Sequence, residues 1–265
     1  MKKRLDLLLV ERGLCGSRTR AQALVMEGKV RVDGQVELKA ARPVDAGASV
    51  EVEAPPRFVS RGGEKLQGAF ELWGTGNRRR QGFGGQVGER GTGLCAEGKV
   101  CLDVGSSTGG FTDCLLQHGA ARVMAVDVGT NQLAYKLRRD PRVWVRENFN
   151  ARFMTPEDLP EAPALAVTDV SFISLKLILP PICAVLAAGG EVVALIKPQF
   201  EVGRGNAPGG LVRDEALRLA ARDEIVRFAA DTLGLALQGL AESPIRGREM
   251  GNVEYLAYWR NGKGM

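Results

Sequence analysis

The sequence predicts an α/β fold in which a mostly parallel sheet carries helices on both faces, preceded by a small α+β domain. Two observations predict it. From about residue 98 onward, short apolar stretches alternate with helical ones, as they do where crossover helices join parallel strands. Before residue 54, two short helical stretches lead into a hairpin pattern. The length of 265 residues and the hydrophobic content of 45% suit one large domain and one small one.

Residues 1–53 are predicted to form the small domain. A leucine-rich helix comes first, and Ser17 offers the N-cap of a second helix that ends at Gly28. The pair Asp33-Gly34 then predicts a hairpin turn between short valine-rich strands. A further short strand closes the unit.

The large domain is predicted to hold the parallel sheet and, at its end, a strand pair that is not another strand–helix–strand unit. A sheet that ends in such a hairpin is typical of one class of transferase, although this feature alone is a weak signal. The parallel strands are predicted at Val100–Val104, Arg122–Val126, Val143–Val145, Leu165–Val167 and Val192–Ile196, and the terminal pair at Leu235–Leu240 and Val253–Trp259.

Two segments interrupt this pattern. Residues 54–59, with adjacent prolines, are predicted to be a linker to the large domain at 60–265. Residues 74–97 are rich in Gly, Arg and Gln, and we expect a flexible insertion there. The arginines 78–80 leave an RNA contact open, but a solvated insertion is the favoured interpretation. Because the cost of closing a loop rises slowly with length, the insertion is expected to leave activity intact.

Composition narrows the function classes. The net charge of +5 and the isoelectric point near 9.1 permit a polyanionic partner. No apolar run approaches the roughly 20 residues that span a bilayer. The five cysteines are scattered without a CxxC pair, which argues against a metal cluster and favours the cytoplasm. The one histidine, His118, is expected to be an ordinary surface residue.

A glycine-rich loop follows the first strand of the predicted sheet. It runs from Asp103 to Phe111, and glycines there let the backbone approach a ligand. A tight turn without a ligand and a dinucleotide site are alternatives, although the spacing is not GxGxxG. The second strand ends at Asp127, whose carboxylate could accept hydrogen bonds from the ribose of NAD or of S-adenosyl-L-methionine. After the third strand, Asn148 could read an adenine edge, with Phe149 packed nearby.

Polar residues also follow the next two strands. Asp169 comes after the fourth strand and Lys197 after the fifth, so both are expected to face one crevice at the carboxyl edge of the sheet. A helix cap for the aspartate and a solvated lysine are the alternatives for each taken alone. Lys65 and Glu254, near the two ends of the large domain, complete the candidate set.

The segments SRGGEKL, DVGSSTGGFTD, TDVSFISL, IKPQFEVG and GNVEYL together resemble the TlyA family of ribosomal RNA 2′-O-methyltransferases, which carries the catalytic fold of the FtsJ/RrmJ RNA methyltransferases. The N-terminal segments RLDLLLVERG and SRTRAQALVMEGKVRVDG resemble the small RNA-binding domain named after ribosomal protein S-four. The resemblance covers the chain except residues 74–97. It implies a Rossmann-like S-adenosyl-L-methionine-dependent methyltransferase sheet, S-adenosyl-L-methionine as cofactor, and ribosomal RNA or ribosomal subunits as partner, with a cytidine ribose as target.

The resemblance also implies roles for individual residues. The catalytic set of the wider fold falls on Lys65, Asp169, Lys197 and Glu254. The cofactor residues are expected at Asp103, Gly105, Ser106, Ser107, Gly109, Gly110, Phe111, Asp127, Asn148 and Phe149, and the RNA-facing charges at Arg4, Arg18, Arg20 and Lys29, with no metal and no membrane involved.

The implied chemistry suits these residue types. A ribose hydroxyl is a poor nucleophile, and its proton must leave as the oxygen attacks the methyl group. An ordinary lysine has a pKa of about 10.4, so it needs a second amine and partial burial to act as a base. We expect Lys197 nearest the attacking oxygen, Asp169 orienting it, Lys65 positioning and Glu254 holding a lysine or the ribose. Which lysine takes the proton stays open, and alignment of the reacting groups is an alternative source of catalysis.

Three other functions are alternatives to this one. A non-catalytic RNA-binding or ribosome-assembly protein would use the same basic N-terminus, but it would not need the four polar residues. A dehydrogenase would want a GxGxxG loop and a suitably placed acid–base group, for which His118 is badly placed. The family's older haemolysin label finds no support, since the sequence shows neither a spanning segment nor a long amphipathic helix.

Overall fold

A computed structural model describes residues 2–54, 56–74, 93–203, 205–247 and 250–262. The chain divides into two compact units, Met1–Pro56 and Arg57–Met265. Residues 75–92, which include the arginines at 78–80 and most of the expected insertion, lie outside the described residues.

The N-terminal unit packs two helices beside two small sheets. Ser17 caps the second helix as expected, because its Oγ accepts a hydrogen bond from the Arg20 amide. Strands β1 and β4 form a ribbon that the sequence did not predict, and β2 lies between β3 and β5. The elements are β1 (Lys2–Arg4), α1 (Leu5–Glu11), α2 (Arg18–Met26), β2 (Val30–Val32), β3 (Gln35–Val36), β4 (Pro43–Asp45) and β5 (Val50–Val52).

The larger unit is a seven-stranded sheet in the order β11-β12-β10-β9-β6-β7-β8, with β12 antiparallel to β10 and β11. This confirms the predicted α/β class, the mostly parallel sheet and the terminal hairpin. The strands are β6 (Val100–Val104), β7 (Arg122–Val126), β8 (Val143–Arg146), β9 (Leu165–Thr168), β10 (Glu191–Ile196), β11 (Leu235–Glu242) and β12 (Tyr255–Asn261), and the helices are α3 (Gly62–Trp73), α4 (Gly110–Gln117), α5 (Tyr135–Arg138), α6 (Leu175–Val185) and α7 (Glu215–Leu233).

Helices cover both faces of this sheet. One apolar cluster joins α3, α4 and α5 to one face, with Leu66 and Leu115 fully buried. A second cluster joins α6 and α7 to the other face, with Leu179 and Ile225 fully buried. The alternation of apolar strands and helices in the sequence reflects this arrangement, because each strand needs an apolar side chain toward each layer.

The strand directions explain why distant segments meet. Strands β6, β7, β9 and β10 are parallel, so their carboxyl ends lie at one edge of the sheet. Strand β12 runs the other way and starts at that edge, where Tyr255 pairs with Ile196. The observed strand begins at Tyr255, two residues after the start of the predicted strand 253–259. Glu254 thus lies just before β12, at the carboxyl edge of the sheet.

Two expectations differ in detail. The end of the expected insertion is ordered, because Leu94 and Ala96 are buried in the core and the Leu94 amide bonds the Trp73 carbonyl at 2.7 Å. His118 is half-buried, with its ring stacked on Phe70 at 3.9 Å. Burial lowers the pKa of this histidine.

Candidate active site

The four polar residues at the carboxyl edge form one contiguous cluster, called here the carboxyl-end cluster: Lys65, Asp169, Lys197 and Glu254. The Lys197 Nζ lies 2.6 Å from Asp169 Oδ1, and the Lys65 Nζ lies 3.4 Å from Asp169 Oδ2. The Lys65 Nζ also lies 2.8 Å from Glu254 Oε2. Both lysines and Glu254 are buried, whereas Asp169 is partly exposed. The structure thus brings together four residues that lie far apart in the sequence.

The two shortest contacts of this cluster are ion pairs by distance, but their angles miss hydrogen-bond geometry. Asp169 Oδ1 and Glu254 Oε2 are accordingly buried oxygens without a hydrogen-bond donor among the described residues. The Lys197 ammonium instead donates to the Ser171 hydroxyl at 2.8 Å. Each of the two oxygens is nevertheless paired with a lysine ammonium within 2.8 Å, so the cluster is held together mainly by ion pairs.

A pocket of about 370 Å³ opens above this cluster. Phe172 and Phe200 form an aromatic wall, with ring centroids 5.1 Å apart and planes tilted by 49°. Phe172 is 86% exposed and adopts φ of 64°, an unusual conformation for a bulky residue. Asn252 borders the pocket and holds a neighbouring loop, since it accepts from the Val212 amide and donates to the Gly210 carbonyl.

Asp103, the first residue of the predicted cofactor loop, is fully buried at the carboxyl edge. Its Oδ2 accepts the Thr112 hydroxyl at 2.6 Å, whereas its Oδ1 has no hydrogen-bond donor among the described residues. Burial raises the pKa of Asp103 to about 7, and the Thr112 bond offsets only part of this rise. An unpartnered buried carboxylate oxygen is a suitable acceptor for a cationic group of a ligand.

The glycine-rich loop turns sharply after β6. Gly105 has φ of 81° and Ser107 has φ of 47°, both in the left-handed region. The Ser107 amide donates to Asp127 Oδ2 and the Gly129 amide to Asp127 Oδ1, each at 2.7 Å. The predicted ribose-binding carboxylate therefore also ties the loops after β6 and β7 together. Ser106, between these two residues, is buried.

The second half of the loop is committed to packing. A Cβ on Gly109 would lie 2.3 Å from the Leu137 side chain, and one on Gly110 would lie 2.3 Å from the Ser60 hydroxyl. Phe111 is buried in the core on the α3–α4 face. These contacts explain the two glycines and the phenylalanine through close helix packing, so a cofactor role for them stays a prediction.

The loop after β8 places the last two predicted cofactor residues. Asn148 is exposed with φ of 53°, and its amide donates to the Gly129 carbonyl at 3.0 Å. The Phe149 ring is half-buried beneath the Arg146 guanidinium, 4.0 Å from the ring centroid. Both residues lie beside the loop after β7, which Asp127 holds through the Gly129 amide. A nucleoside bound at Asp127 would therefore be within reach of both.

The residues after β6 fit the implied S-adenosyl-L-methionine. Asp103 Oδ1, which accepts no hydrogen bond from the described residues, offers an acceptor to the cationic methionine part. Asp127 offers carboxylate lone pairs beside an exposed Asn148 to the adenosine part. The carboxyl ends of β6 and β9 are adjacent in the sheet, so this loop neighbours the loop of Asp169. The two groups of predicted residues thus line one edge.

The basic residues predicted in the N-terminal unit divide into two kinds. Arg4 and Arg18 both bind the carboxylate of the buried Asp6. Arg20 is exposed, and the Lys29 ammonium pairs with Glu27 at 2.7 Å. The structure therefore brings two of the four together on one anion, an arrangement that the sequence did not predict.

Several residues that shape the site were not predicted from the sequence. Ser171 and Phe172 lie in the segment TDVSFISL, which contributed to the family resemblance without a role for either residue. Glu201, in IKPQFEVG, accepts the Ser174 hydroxyl at 2.5 Å and the Leu175 amide at 2.9 Å. It thereby joins the loops after β9 and β10. The one sequence signal for these residues was their position inside TDVSFISL and IKPQFEVG, next to Asp169 and Lys197.

Within the described ranges, no helix is long and apolar enough to cross a bilayer. No group of three or more potential metal-ligating side chains meets there either.

Comparison with known proteins identifies both units. The sequence model of the FtsJ-like methyltransferase family matches residues 58–261, and that of the S4 domain matches residues 3–50. The chain is 42% identical over 262 residues to the 16S/23S rRNA (cytidine-2′-O)-methyltransferase TlyA of Mycobacterium tuberculosis, across 98% of this chain and 90% of that protein. It is 41% identical to Hemolysin A of Brachyspira hyodysenteriae, across 97% of this chain and 99% of that protein.

A solved structure named "Putative hemolysin from Streptococcus thermophilus" is similar in fold, with a TM-score of 0.70 at 40% identity. The similarity covers 99% of this chain and 90% of that one.

Proposed function

The chain belongs to the FtsJ-like methyltransferase family, and from this premise we propose that it transfers a methyl group to a cytidine ribose 2′-hydroxyl in ribosomal RNA. The observation that carries the proposal is the carboxyl-end cluster, in which two buried lysines share the carboxylate of Asp169 and Lys65 also pairs with Glu254, at the base of a pocket. Such a cluster can hold a hydroxyl group and take its proton.

S-adenosyl-L-methionine, bound at the loop after β6, supplies an electrophilic methyl group on a sulfonium. Lys197 would act as the neutral amine, after releasing its own proton to solvent, and would accept the proton of the 2′-hydroxyl as that oxygen takes the methyl group. The products would be S-adenosyl-L-homocysteine and a 2′-O-methyl ribose. Asp169 holds the Lys197 amine through the 2.6 Å contact. The proton then leaves to solvent through the open pocket.

The two lysines differ in their surroundings, and this difference supports different roles for them. Lys65 contacts two carboxylates, those of Asp169 and Glu254, whereas Lys197 contacts one carboxylate and the Ser171 hydroxyl. Contacts with two carboxylates hold the Lys65 side chain in place more firmly than one would, so Lys65 is the positioning residue. Lys197, with one carboxylate, is the better placed proton acceptor.

The aromatic wall suits the nucleobase attached to that ribose. Single-stranded or extruded bases are commonly held by stacking on aromatic side chains. Phe172 presents an exposed ring at the pocket, and Phe200 supports it from the loop that also carries Lys197. A base stacked on Phe172 would direct its ribose toward the lysines.

The N-terminal unit supplies the RNA contact in this proposal. We take 1–53 as the RNA-binding domain, 54–59 as the linker and 60–265 as the methyltransferase domain. Arg4, Arg18, Arg20 and Lys29 contact the RNA backbone, and ribosomal subunits in the cytoplasm are the substrate. The S4-domain match at residues 3–50 supports this assignment.

Incubation of separated ribosomal subunits with methyl-labelled S-adenosyl-L-methionine tests the proposal. After digestion of the RNA to nucleosides, label is expected in 2′-O-methylcytidine. Label on a base would contradict the mechanism, and the absence of label in both subunits would contradict the substrate. A Lys197→Ala variant serves as the control for contaminating methyltransferases.

A further inference from the structure

The N-terminal unit contains a fully buried aspartate, Asp6, in the first turn of α1. Its carboxylate accepts four hydrogen bonds from three side chains. Arg4 donates from Nε at 3.1 Å and from a terminal nitrogen at 2.9 Å, in a fork that uses both oxygens. Arg18 donates from Nε at 3.0 Å and Gln22 from its amide at 2.9 Å. The Arg4 fork is the largest reason why the pKa of Asp6 lies far below its usual range.

The two arginines that bind Asp6 come from different elements and remain open to solvent. Arg4 ends β1 and Arg18 begins α2, and their side chains are 43% and 53% exposed. Among the contacts of the described residues, Arg18 commits only its Nε, so both of its terminal nitrogens remain available for a ligand. Arg4 likewise keeps one terminal nitrogen. The group retains a net charge of +1, with its one anion buried and its cations outward.

A freely moving surface arginine loses conformational entropy when it binds a phosphate, and this loss weakens binding. A guanidinium that is already held in place before binding loses less entropy and can therefore bind more tightly. The fork at Asp6 fixes the plane of Arg4, and the Nε contact fixes the direction of Arg18. Planar guanidinium groups that are held in this way suit the paired oxygens of a phosphodiester.

We propose that Asp6 is a positioning residue for RNA binding, whose buried carboxylate holds Arg4 and Arg18 as a preformed pair of guanidinium groups for a backbone phosphate. This inference rests on the proposed function, because it takes RNA as the partner.

The direction in which Asp6→Asn changes the affinity for RNA distinguishes a positioning role from a purely electrostatic one. Asp6→Asn removes a negative charge close to a polyanion, so a purely electrostatic role predicts tighter RNA binding. A positioning role predicts the opposite, because asparagine cannot hold both arginines through charge-assisted bonds. The expected result is a rise of about tenfold in the Kd for ribosomal RNA. The slope of log Kd against log salt should also fall by about 0.7–0.9 for each phosphate that the variant no longer binds.

The experiment uses the full chain and ribosomal RNA, with Kd measured at several salt concentrations. Glu11→Gln is the matched control, since Glu11 lies on the same helix and pairs with Lys3, and among the described residues it forms no hydrogen bond or ion pair with Arg4 or Arg18. We expect its Kd to stay within about twofold of wild type. Circular dichroism and urea denaturation report whether each variant is folded.

Arg18→Lys keeps the proposal testable if Asp6→Asn does not fold. It retains the charge but not the guanidinium, so the proposal predicts weaker RNA binding by several-fold. A folded Asp6→Asn variant that binds as tightly as wild type or tighter would overturn the inference and leave the proposed function intact, as would wild-type affinity in Arg18→Lys. Failure of the wild-type chain to bind ribosomal RNA would overturn both.

Discussion

The two ends of the sheet each carry a group of charges around a buried glutamate, and the two groups are built differently. At the amino end, the amino-end cluster comprises Lys99, Glu191, Tyr258 and Arg260. Tyr258 and Arg260 donate to one oxygen of Glu191 at 2.6 and 2.9 Å, and Lys99 binds the other. Burial raises the pKa of Glu191, but these three donors more than offset it, so it lies below its usual range.

The carboxyl-end cluster differs in what surrounds it. Lys65, Lys197 and Glu254 border a pocket of about 370 Å³, and none of the four amino-end residues borders that pocket. Unpaired buried atoms do not separate the two ends, because among the described residues Arg260 Nε at the amino end and the Gln199 amide oxygen at the pocket both lack a hydrogen-bond partner. A charged cluster therefore indicates function by its access to a ligand-sized space, since composition alone would not separate the two ends.

Replacing Lys197 by alanine is expected to give the largest effect. The rate of methyl transfer should fall by at least about 10³-fold, equivalent to about 4 kcal/mol of activation free energy, because the proton acceptor is lost. Binding of S-adenosyl-L-methionine should change little, since the loop after β6 is untouched. Single-turnover transfer to ribosomal RNA measures the rate, and equilibrium titration measures the cofactor affinity.

Lys99→Ala is the matched control for this substitution, because Lys99 is also a lysine bound to a buried glutamate, but at the other end of the sheet. Its rate per folded molecule should stay within about twofold of wild type. Equal losses of activity in the two variants would remove the functional distinction between the clusters.

Replacing Glu191 by alanine should act on stability instead. Removal of the shared carboxylate leaves two cations and a tyrosine hydroxyl without their acceptor, at an expected cost of about 2–4 kcal/mol in the free energy of unfolding. Urea denaturation measures the loss, and activity at low temperature should persist. A variant as stable as wild type would show that the amino-end cluster is not a structural tie.

Phe172→Ala is expected to weaken engagement of RNA without affecting the cofactor. Loss of one stacking surface should raise the apparent KM by about fivefold to about 150-fold, following the roughly 1–3 kcal/mol attributed to a stacked base. Phe172→Tyr should restore binding. Phe153→Ala is the control, since Phe153 is similarly exposed but lies outside the pocket. An unchanged KM in Phe172→Ala would argue against a nucleobase at the aromatic wall.

Asp103 predicts a pH dependence of cofactor affinity. Its pKa is raised to about 7, so near neutral pH the group is partly protonated, and a cationic ligand favours its ionised form. Affinity for S-adenosyl-L-methionine should therefore rise by up to about tenfold from pH 6 to pH 8, with release of a proton on binding. Asp103→Asn should lower the affinity and flatten this profile. A wild-type affinity independent of pH would contradict the assignment.

Ionisation of Asp103 also affects the stability of the cofactor-free protein, in the opposite direction to its effect on cofactor affinity. The folded-state pKa of Asp103 is raised above the unfolded value, so the folded chain binds more protons between about pH 4 and pH 7. Its contribution to the stability of the cofactor-free protein is present below that window and is lost as the pH rises through it.

Much of the fold could be predicted because the parallel strands are continuous apolar runs. The bounds of β6 and β7 match the prediction, and the hairpin of β11 and β12 was expected from the end of the sequence. The ribbon of β1 and β4 was not, since each has three residues and β1 contains Lys2, Lys3 and Arg4 without an apolar pattern. Register between such short strands depends on tertiary packing.

The catalytic candidates were predictable for a related reason. A polar residue after each buried strand must lie at one edge, which placed Asp169 and Lys197 together, while Lys65 and Glu254 depended on resemblance to a family. The sequence could not show that Asp6 would hold two arginines, because that contact joins three elements. Nor could it show that Gly109 and Gly110 pack against side chains, since packing and ligand approach require the same residue.

The most direct test of the central claim is the position of the transferred methyl group in ribosomal RNA. A 2′-O-methyl group blocks alkaline cleavage of the adjoining phosphodiester, so RNA labelled by the wild-type chain and hydrolysed in alkali should release its label in a dinucleotide. The Lys197→Ala variant should release none, and the Lys99→Ala variant should match wild type. Label recovered in a mononucleotide would place the methyl group on a base and would contradict the account.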